Sequence, residues 1–274
     1  MATINFADIR DAVRNQQSIK PYLDEMLVID CHGHIGPHSR YFVPEDDIDH
    51  IIEAMDSLGI DMISLNALQS LEGDYKAGNE ATATAVQKYP DRVIGHCCIN
   101  PNYPEDVQAE TLRCFEEFGA RMLKFHCAWH QTPPEHPHYR PAIEYCAQHR
   151  IPLVSHLPHY VKNLPGYADL AREYPDMPFI VAHSTAPEVI DPIGEICAPV
   201  ENMYFDTCGY AMYNHSIERL VNAVGEDRVL FGSDVAWLNI AYQLGQVLFA
   251  DISDDAREKI IGLNFQRLME DIEL

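Results

Sequence analysis

A parallel eight-stranded β/α barrel with an added amino-terminal helix, a (β/α)8 TIM barrel, is the fold this sequence predicts. Three observations carry the expectation. Short apolar runs alternate with helical segments eight times along the 274 residues, the order of a β/α fold with a parallel sheet. Several of those runs end in a side chain able to bind metal or move a proton. These stand at the carboxyl end, where parallel α/β folds bind ligands. The polar ends belong to the first, fourth, fifth, sixth and eighth runs. An open doubly wound sheet would leave them apart, whereas a closed barrel gathers them around one axis. Residues 1–274 read as a single domain, because barrels commonly run about 250 residues as one and no Gly/Ser-rich or Pro-rich spacer divides the chain.

The elements follow in order. Residues 27–34 form strand one. Residues 45–58 form a helix with Ile48, Ile51, Ile52, Met55 and Leu58 on one face, and Gly59 stands where a C-cap glycine belongs. Strand two covers 62–68, a helix over 79–89 stops at Pro90, and strand three covers 93–99. A helix over 104–118 has Pro104 in its first turn and Gly119 beyond its end. Strand four covers 121–126. Residues 129–138 are rich in Pro and His without a regular period, as in loops that cover active sites. A helix over 139–149, strand five at 153–156, a helix over 164–174 and strand six at 179–183 come next. A helix over 187–198 forms despite Pro192. Strand seven covers 203–208, a helix over 216–224 ends at Gly225, and strand eight covers 229–234. The closing helix, 254–269, has an acidic first turn. Residues before Leu27 supply the added helix.

The formal charge of −23 argues against a nucleic-acid groove or an anionic membrane surface, both of which need a positive footprint. No window approaches the roughly 18 apolar residues of a membrane helix. The segment Met1 to Asp11 lacks the basic start and apolar core of a signal peptide, so a soluble cytoplasmic protein is expected. Eight cysteines without a CxxC pair read as buried free thiols in a chain too long for a disulfide scaffold. No Gly-rich phosphate fingerprint follows strand one, which disfavours a dinucleotide or P-loop fold.

Chemistry concentrates at the strand ends. Leu27-Val28-Ile29-Asp30-Cys31-His32-Gly33-His34 leads an apolar run into two histidines. Alternate side chains of an extended chain share a face, so His32 and His34 can grip one ion, imidazole being a common ligand for zinc-like metals. A pair of surface histidines is the plainer alternative. Leu123-Lys124-Phe125-His126, Val154-Ser155-His156, Val181-Ala182-His183 and Gly232-Ser233-Asp234 repeat the pattern. Cys31 is expected to face away from His32. Asp30 is expected to face away from the metal and to serve as a partner or in packing. Cys208 is a candidate for lining the pocket, and Trp129 and Trp237 for its aromatic wall or for the core. Most of the loop histidines His130, His136, His138 and His159 are expected not to be ligands.

The order His-x-His, Lys, His, His, Asp, with the closing Ile261-Gly262-Leu263-Asn264-Phe265-Gln266-Arg267-Leu268, resembles the amidohydrolase superfamily. Within it, the amidohydrolase-related branch of small hydrolases, lactonases and non-oxidative decarboxylases is the nearest. The resemblance implies that His32 and His34 bind the more buried metal, with His156 as a further ligand. It implies that Asp234 both binds metal and takes a proton from the activated water. His183 would bind a second ion, or orient substrate and shuttle a proton. Lys124, with His126 beside it, would contact substrate or support the site, rather than bridge two ions as a carboxylated lysine. An ion pair of Lys124 with Asp206 or Glu195 is the structural alternative. The implied cofactor is a divalent metal, zinc by expectation, one ion rather than two.

The leading expectation is a metal-dependent hydrolase of an amide, lactone or similar ester-like bond in a small molecule. The alternative is a non-oxidative decarboxylase, a lyase, of a small unsaturated or aromatic acid on the same metal. A non-catalytic metal-binding barrel is a third reading, disfavoured by ligands that face loops. The expected partner is a small-molecule substrate, with no nucleic acid and no membrane, and a homodimer is the default assembly.

Overall fold

The protein is described from a computed structural model over residues 6–157, 161–209 and 213–274. Eight parallel strands pair in chain order. They are β1 (Ile29–Ile35), β2 (Met62–Ala67), β3 (Val93–Cys98), β4 (Met122–Phe125), β5 (Leu153–His156), β6 (Phe179–Ala182), β7 (Met203–Asp206) and β8 (Val229–Leu230). Helices lie between them, as the alternating pattern predicts. Among the described residues no helix is long and apolar enough to cross a membrane.

The ring closes through the chain that follows β8. Cys31 N–H donates to Phe231 O at 2.9 Å, Asp234 N–H to His32 O at 2.7 Å, and His34 N–H to Val235 O. Gly33 and Val235 form a parallel bridge. Strands six and eight stop short of their expected ends. His183 and Asp234 both have φ of 61°, in the left-handed region that an L-residue enters at a cost and that a strand ladder does not accommodate. The chain therefore leaves the sheet near the two residues expected to do chemistry. Gly232 lets it pass close by: a Cβ there would lie 3.1 Å from His32 Cβ and 3.4 Å from Asp206 Cβ.

The strand alternation separates two layers. Val93, Cys97, Leu123, Phe125, Leu153, Phe179 and Phe205 belong to the larger cluster with the helices. Ile29, Cys31, Ile94, Met122, Val154, Ile180 and Leu230 form the inner cluster, together with Phe265 and Leu268 of the last helix. Two residues beyond Met122 and Val154 on the same face come Lys124 and His156, so the axial core turns polar towards the carboxyl ends. The register between β1 and β2 slips between Asp30 and Gly33. This bulge lets the consecutive residues Cys31 and His32 both turn inward, which corrects the expectation that they oppose each other.

The connecting helices match the sequence pattern, with adjusted ends. The first runs Ile48–Leu58, where the Asp47 side chain accepts from the N–H groups of Asp49 and His50, and Gly59, at φ 77°, closes it. The next begins a turn earlier than expected, at Tyr75. The helices expected over 104–118, 187–198 and 254–269 each contain a π-helical stretch: Arg113–Glu117, Ile193–Cys197 and Lys259–Leu263. The irregular 129–138 segment holds the end of a short helix, Cys127–His130, and a 3-10 turn, Pro137–Tyr139. A helix the sequence pattern did not reveal, Ile240–Phe249, follows β8. The amino-terminal addition is Phe6–Arg14 followed by the short helix Lys20–Leu23.

Asp30 fastens the closure. Its carboxylate accepts from His32 N–H at 3.0 Å, Ser233 N–H at 2.9 Å and the Ser233 hydroxyl, all buried. Asp30 stands two residues before His32, and its carboxylate is committed to the β1–β8 seam rather than to the histidine rings. Asp30→Ala leaves buried donors without an acceptor, at about 1–3 kcal/mol each. The expected outcome is a loss of more than about 2 kcal/mol, measured as a lower urea midpoint with an unchanged slope.

Candidate metal centre and active site

Three side chains expected to bind metal meet at the carboxyl end of the barrel. His34 Nε2 lies 3.2 Å from Asp234 Oδ1, and His32 Nε2 lies 3.8 Å from the same oxygen. All three residues are buried, and one donor atom from each falls within a 4.8 Å group. Two atoms that each bind one ion at about 2.1 Å can stand at most about 4.2 Å apart, so both separations suit a shared ion. His34 Nδ1 is buried and has no partner. The donor set is imidazole and carboxylate, which suits zinc, manganese or a similar divalent ion.

Asp206, at the end of β7, orients the His32 ring. Its Oδ2 accepts from His32 Nδ1–H at 2.7 Å, which leaves the Nε2 lone pair facing the site, as metal-binding histidines require. Its Oδ1 accepts from His183 N–H at 2.7 Å and from the Cys208 thiol at 3.0 Å. Burial pushes the Asp206 carboxyl up to about 7, against the lowering effect of these donors.

Lys124 is fully buried, and its Nζ lies 2.8 Å from His32 Nε2. Burial lowers its pKa. The ion pair with Asp206 or Glu195 is not formed among the described residues. Lys124 instead occupies the His32 lone pair that an ion would take. If His32 held a metal through Nε2, Lys124 would give up this contact and stand as a donor beside the centre.

His156 and His183 form the adjoining part of the cluster. His183 Nε2 lies 3.0 Å from His156 Nδ1, and the His156 ring stacks on His126 at 4.0 Å. His126 stacks in turn on Trp129 at 4.3 Å. Burial pushes His183 down to about 4 and His32, His126 and His156 well below the usual imidazole range. The imidazoles are therefore neutral and can ligate. For Asp234, burial raises the pKa, but the hydrogen bond from His34 and the basic groups around it, His183, His34 and Lys124, outweigh it, and the net shift is downward.

A cavity of about 350 Å3 opens above the cluster. His34, His126, His156 and Asp234 form part of its lining, and Trp129, Trp237 and Tyr41 its aromatic wall. Trp129 and Trp237 are thus wall residues, each more than a third exposed. Arg40 also lines the cavity, and among the described residues no carboxylate pairs with its side chain. His38 stands between the two tryptophans, 5.0 Å from each ring. The sequence reading missed His38, Arg40 and Tyr41, whose sole signal is their place in the loop after strand one. It named Asp206 only as a partner for Lys124, although Tyr204-Phe205-Asp206 repeats the pattern of an apolar run ending in a polar group.

The loop histidines take structural roles. His130 Nδ1 meets Tyr139 Oη at 3.1 Å, His138 Nδ1 meets Pro101 O at 2.8 Å, and His136 Nδ1 accepts from His138 N–H. His159 lies outside the described residues. All eight cysteines are free and buried.

The model of a family described as amidohydrolase matches residues 29–268. No curated protein matches the chain. Among solved structures, a 2,6-dihydroxybenzoate decarboxylase from Rhizobium superposes with a TM-score of 0.66 at 18% identity, over 89% of this chain and 99% of that one. A dihydroxybenzoic acid decarboxylase from Polaromonas sp. JS666, with bound manganese and the inhibitor 2-nitroresorcinol, gives 0.68 at 21% identity over 89% and 97%. A 5-carboxyvanillate decarboxylase from Novosphingobium aromaticivorans, complexed with manganese and 4-hydroxy-3-methoxy-5-nitrobenzoic acid, gives 0.71 at 16% identity over 90% and 97%. At these identities the likeness is one of fold.

Two outcomes test the centre. His34→Ala should abolish stoichiometric metal binding, measured by elemental analysis of folded protein. Asp206→Asn, which keeps the size of the side chain but loses its second acceptor, should weaken metal affinity by about 10–100-fold in a chelator competition.

Proposed function

The chain belongs to the amidohydrolase family, and we propose that within it the protein is a metal-dependent non-oxidative decarboxylase of a small aromatic acid. The observation that carries this reading is the character of the fold neighbours, which include decarboxylases of hydroxylated aromatic acids, two of them with manganese bound. The cavity is consistent with it. Its aromatic wall suits a planar ring, and Arg40, which has no carboxylate partner among the described residues, supplies positive charge at the lining for an acid in a chain of net charge −23. Hydrolysis, the leading expectation from sequence, has no comparable support among these neighbours.

In this reading His32, His34 and Asp234 hold a divalent ion, manganese or zinc, with His156 as the further ligand. When bound, the ion supplies positive charge that fixes the acid and stabilises negative charge as it develops on the substrate. Trp129 and Trp237 hold the ring and exclude water. Arg40 and Lys124 orient the anion. Asp234 borders the cavity and handles the proton. Its carboxyl is held low in the free protein by His34, His183 and Lys124, and an anionic substrate beside it raises that pKa. A proton on Asp234 then passes to the ring carbon that bears the carboxylate, the carbon–carbon bond breaks, and carbon dioxide leaves. His183, next to Asp234 in charge and to His156 in contact, supports this transfer.

Turnover of hydroxylated benzoic acids in 18O-labelled water decides between the two chemistries. Carbon dioxide with an unlabelled phenolic product is expected, and solvent deuterium should enter the ring at the vacated carbon. Incorporation of 18O into a new carboxyl or hydroxyl group, without carbon dioxide, would restore hydrolysis. Asp234→Asn should lower kcat by at least about 100-fold while the protein stays folded by circular dichroism.

A further inference from the structure

Cys208 is buried at the heart of the site, and neither the ligand set nor the proton transfer uses it. Its Sγ lies 3.0 Å from Asp206 Oδ1, 3.2 Å from His183 Nδ1 and 3.3 Å from His32 Nδ1. A thiol has one hydrogen, so these contacts have a direction. Asp206 Oδ1 already accepts from His183 N–H, and the thiol donates its hydrogen to the same oxygen. The sulfur is then left as an acceptor, and His183 Nδ1 must carry the hydrogen that meets it. A neutral imidazole has one donor and one acceptor, so His183 Nε2 accepts. Its neighbour at 3.0 Å, His156 Nδ1, must then donate, which leaves His156 Nε2 as a lone pair.

We propose that Cys208 is a positioning residue that relays the acceptor character of Asp206 to His183 and, through it, to His156. Asp206 thus sets the tautomer on both sides of the centre. It acts on His32 directly, at 2.7 Å, and on His183 and His156 through the sulfur. The result is one arrangement in which all three imidazoles carry hydrogen on Nδ1. His32 and His156 then have Nε2 free for a ligand, and His183 is locked between sulfur and ring. A thiol suits this place because it reaches two ring nitrogens and one carboxylate at 3.0–3.3 Å without a buried unpaired donor. Alanine would leave His183 Nδ1–H buried and unpartnered, free to shift its hydrogen to Nε2. That shift would remove the acceptor from His156 Nδ1–H and reverse the second ring in turn.

The inference rests on the assignment of His156 and His183 to the site, but not on which reaction the site performs. It is tested with the full chain, 15N-labelled at histidine, after chelation and again with Zn2+ added. Long-range 1H–15N correlations report the tautomer of each ring. The wild type and Cys208→Ser should both show His183 and His156 protonated at Nδ1. Cys208→Ala should show loss or mixing of that tautomer at His183, with kcat at least about 10-fold lower, KM for the aromatic acid little changed, and partial recovery in Cys208→Ser. An Nε2-protonated His183 in the wild type overturns the proposal, as does a Cys208→Ala spectrum identical to it. If Cys208→Ala does not fold, the wild-type and Cys208→Ser spectra decide the matter. If the tautomers are as stated and no carbon dioxide is released, the relay stands and the decarboxylase reading falls.

Discussion

One buried carboxylate organises the top of this barrel. Asp206 lies in the interior with no solvent contact, and an ionised group placed there without partners would be prohibitively costly. It is tolerated because donors from three directions converge on its two oxygens: the His32 ring, the His183 backbone and the Cys208 thiol. The same contacts that offset its desolvation set the direction of the first imidazole and hold the turn after β6. A second buried acid, Asp30, does the matching task at the seam between β1 and the chain after β8. Burial pushes both carboxyls up to about 7, against the donors that hold them.

Around these acids the architecture separates rigid support from recognition. His32 and His34 stand on β1 and His156 on β5, and the rings pack edge to face or stacked: His32 and His34 at 5.1 Å, His156 and His126 at 4.0 Å. His183 and Asp234 stand just past strand ends, in backbone conformations that sheets do not accommodate. Strain of this kind persists where the surroundings over-determine a residue, and here hydrogen bonds from neighbouring strands do so. The groups that would meet a substrate ring, Tyr41, Trp129 and Trp237, lie on connecting loops at the mouth. A loop can change there without disturbing the buried histidines and carboxylate beneath, which is how barrel folds serve different substrates.

Much of the scaffold and part of the site were legible in the linear chain. The period of two in the strands and of 3.6 in the helices located the eight β/α units, and β5 and the helix Ser216–Val224 matched residue for residue. His32, His34 and Asp234 were found because each ends an apolar run, and a parallel barrel must bring such ends together. The helix Ile240–Phe249 escaped notice because it follows β8 within a long apolar stretch whose pattern does not set it apart, although Asn239 caps its first turn by accepting from Tyr242 N–H at 2.9 Å. The π-helical stretches were hidden because each spans a single turn, too short for its longer period to stand out from the flanking α-helix.

What the linear chain determined, then, was the fold class and the end of the barrel at which His32, His34 and Asp234 gather, because both follow from periodicity and strand direction. The tertiary structure alone decided how those side chains are oriented. A bulge in β1 turned Cys31 inward beside His32, two left-handed residues lifted His183 and Asp234 out of the sheet, and Lys124 met His32 rather than forming the ion pair that was the structural alternative for it. Each of these depends on atoms far apart in sequence that compete for the same few lone pairs, and no local pattern encodes which of them prevails.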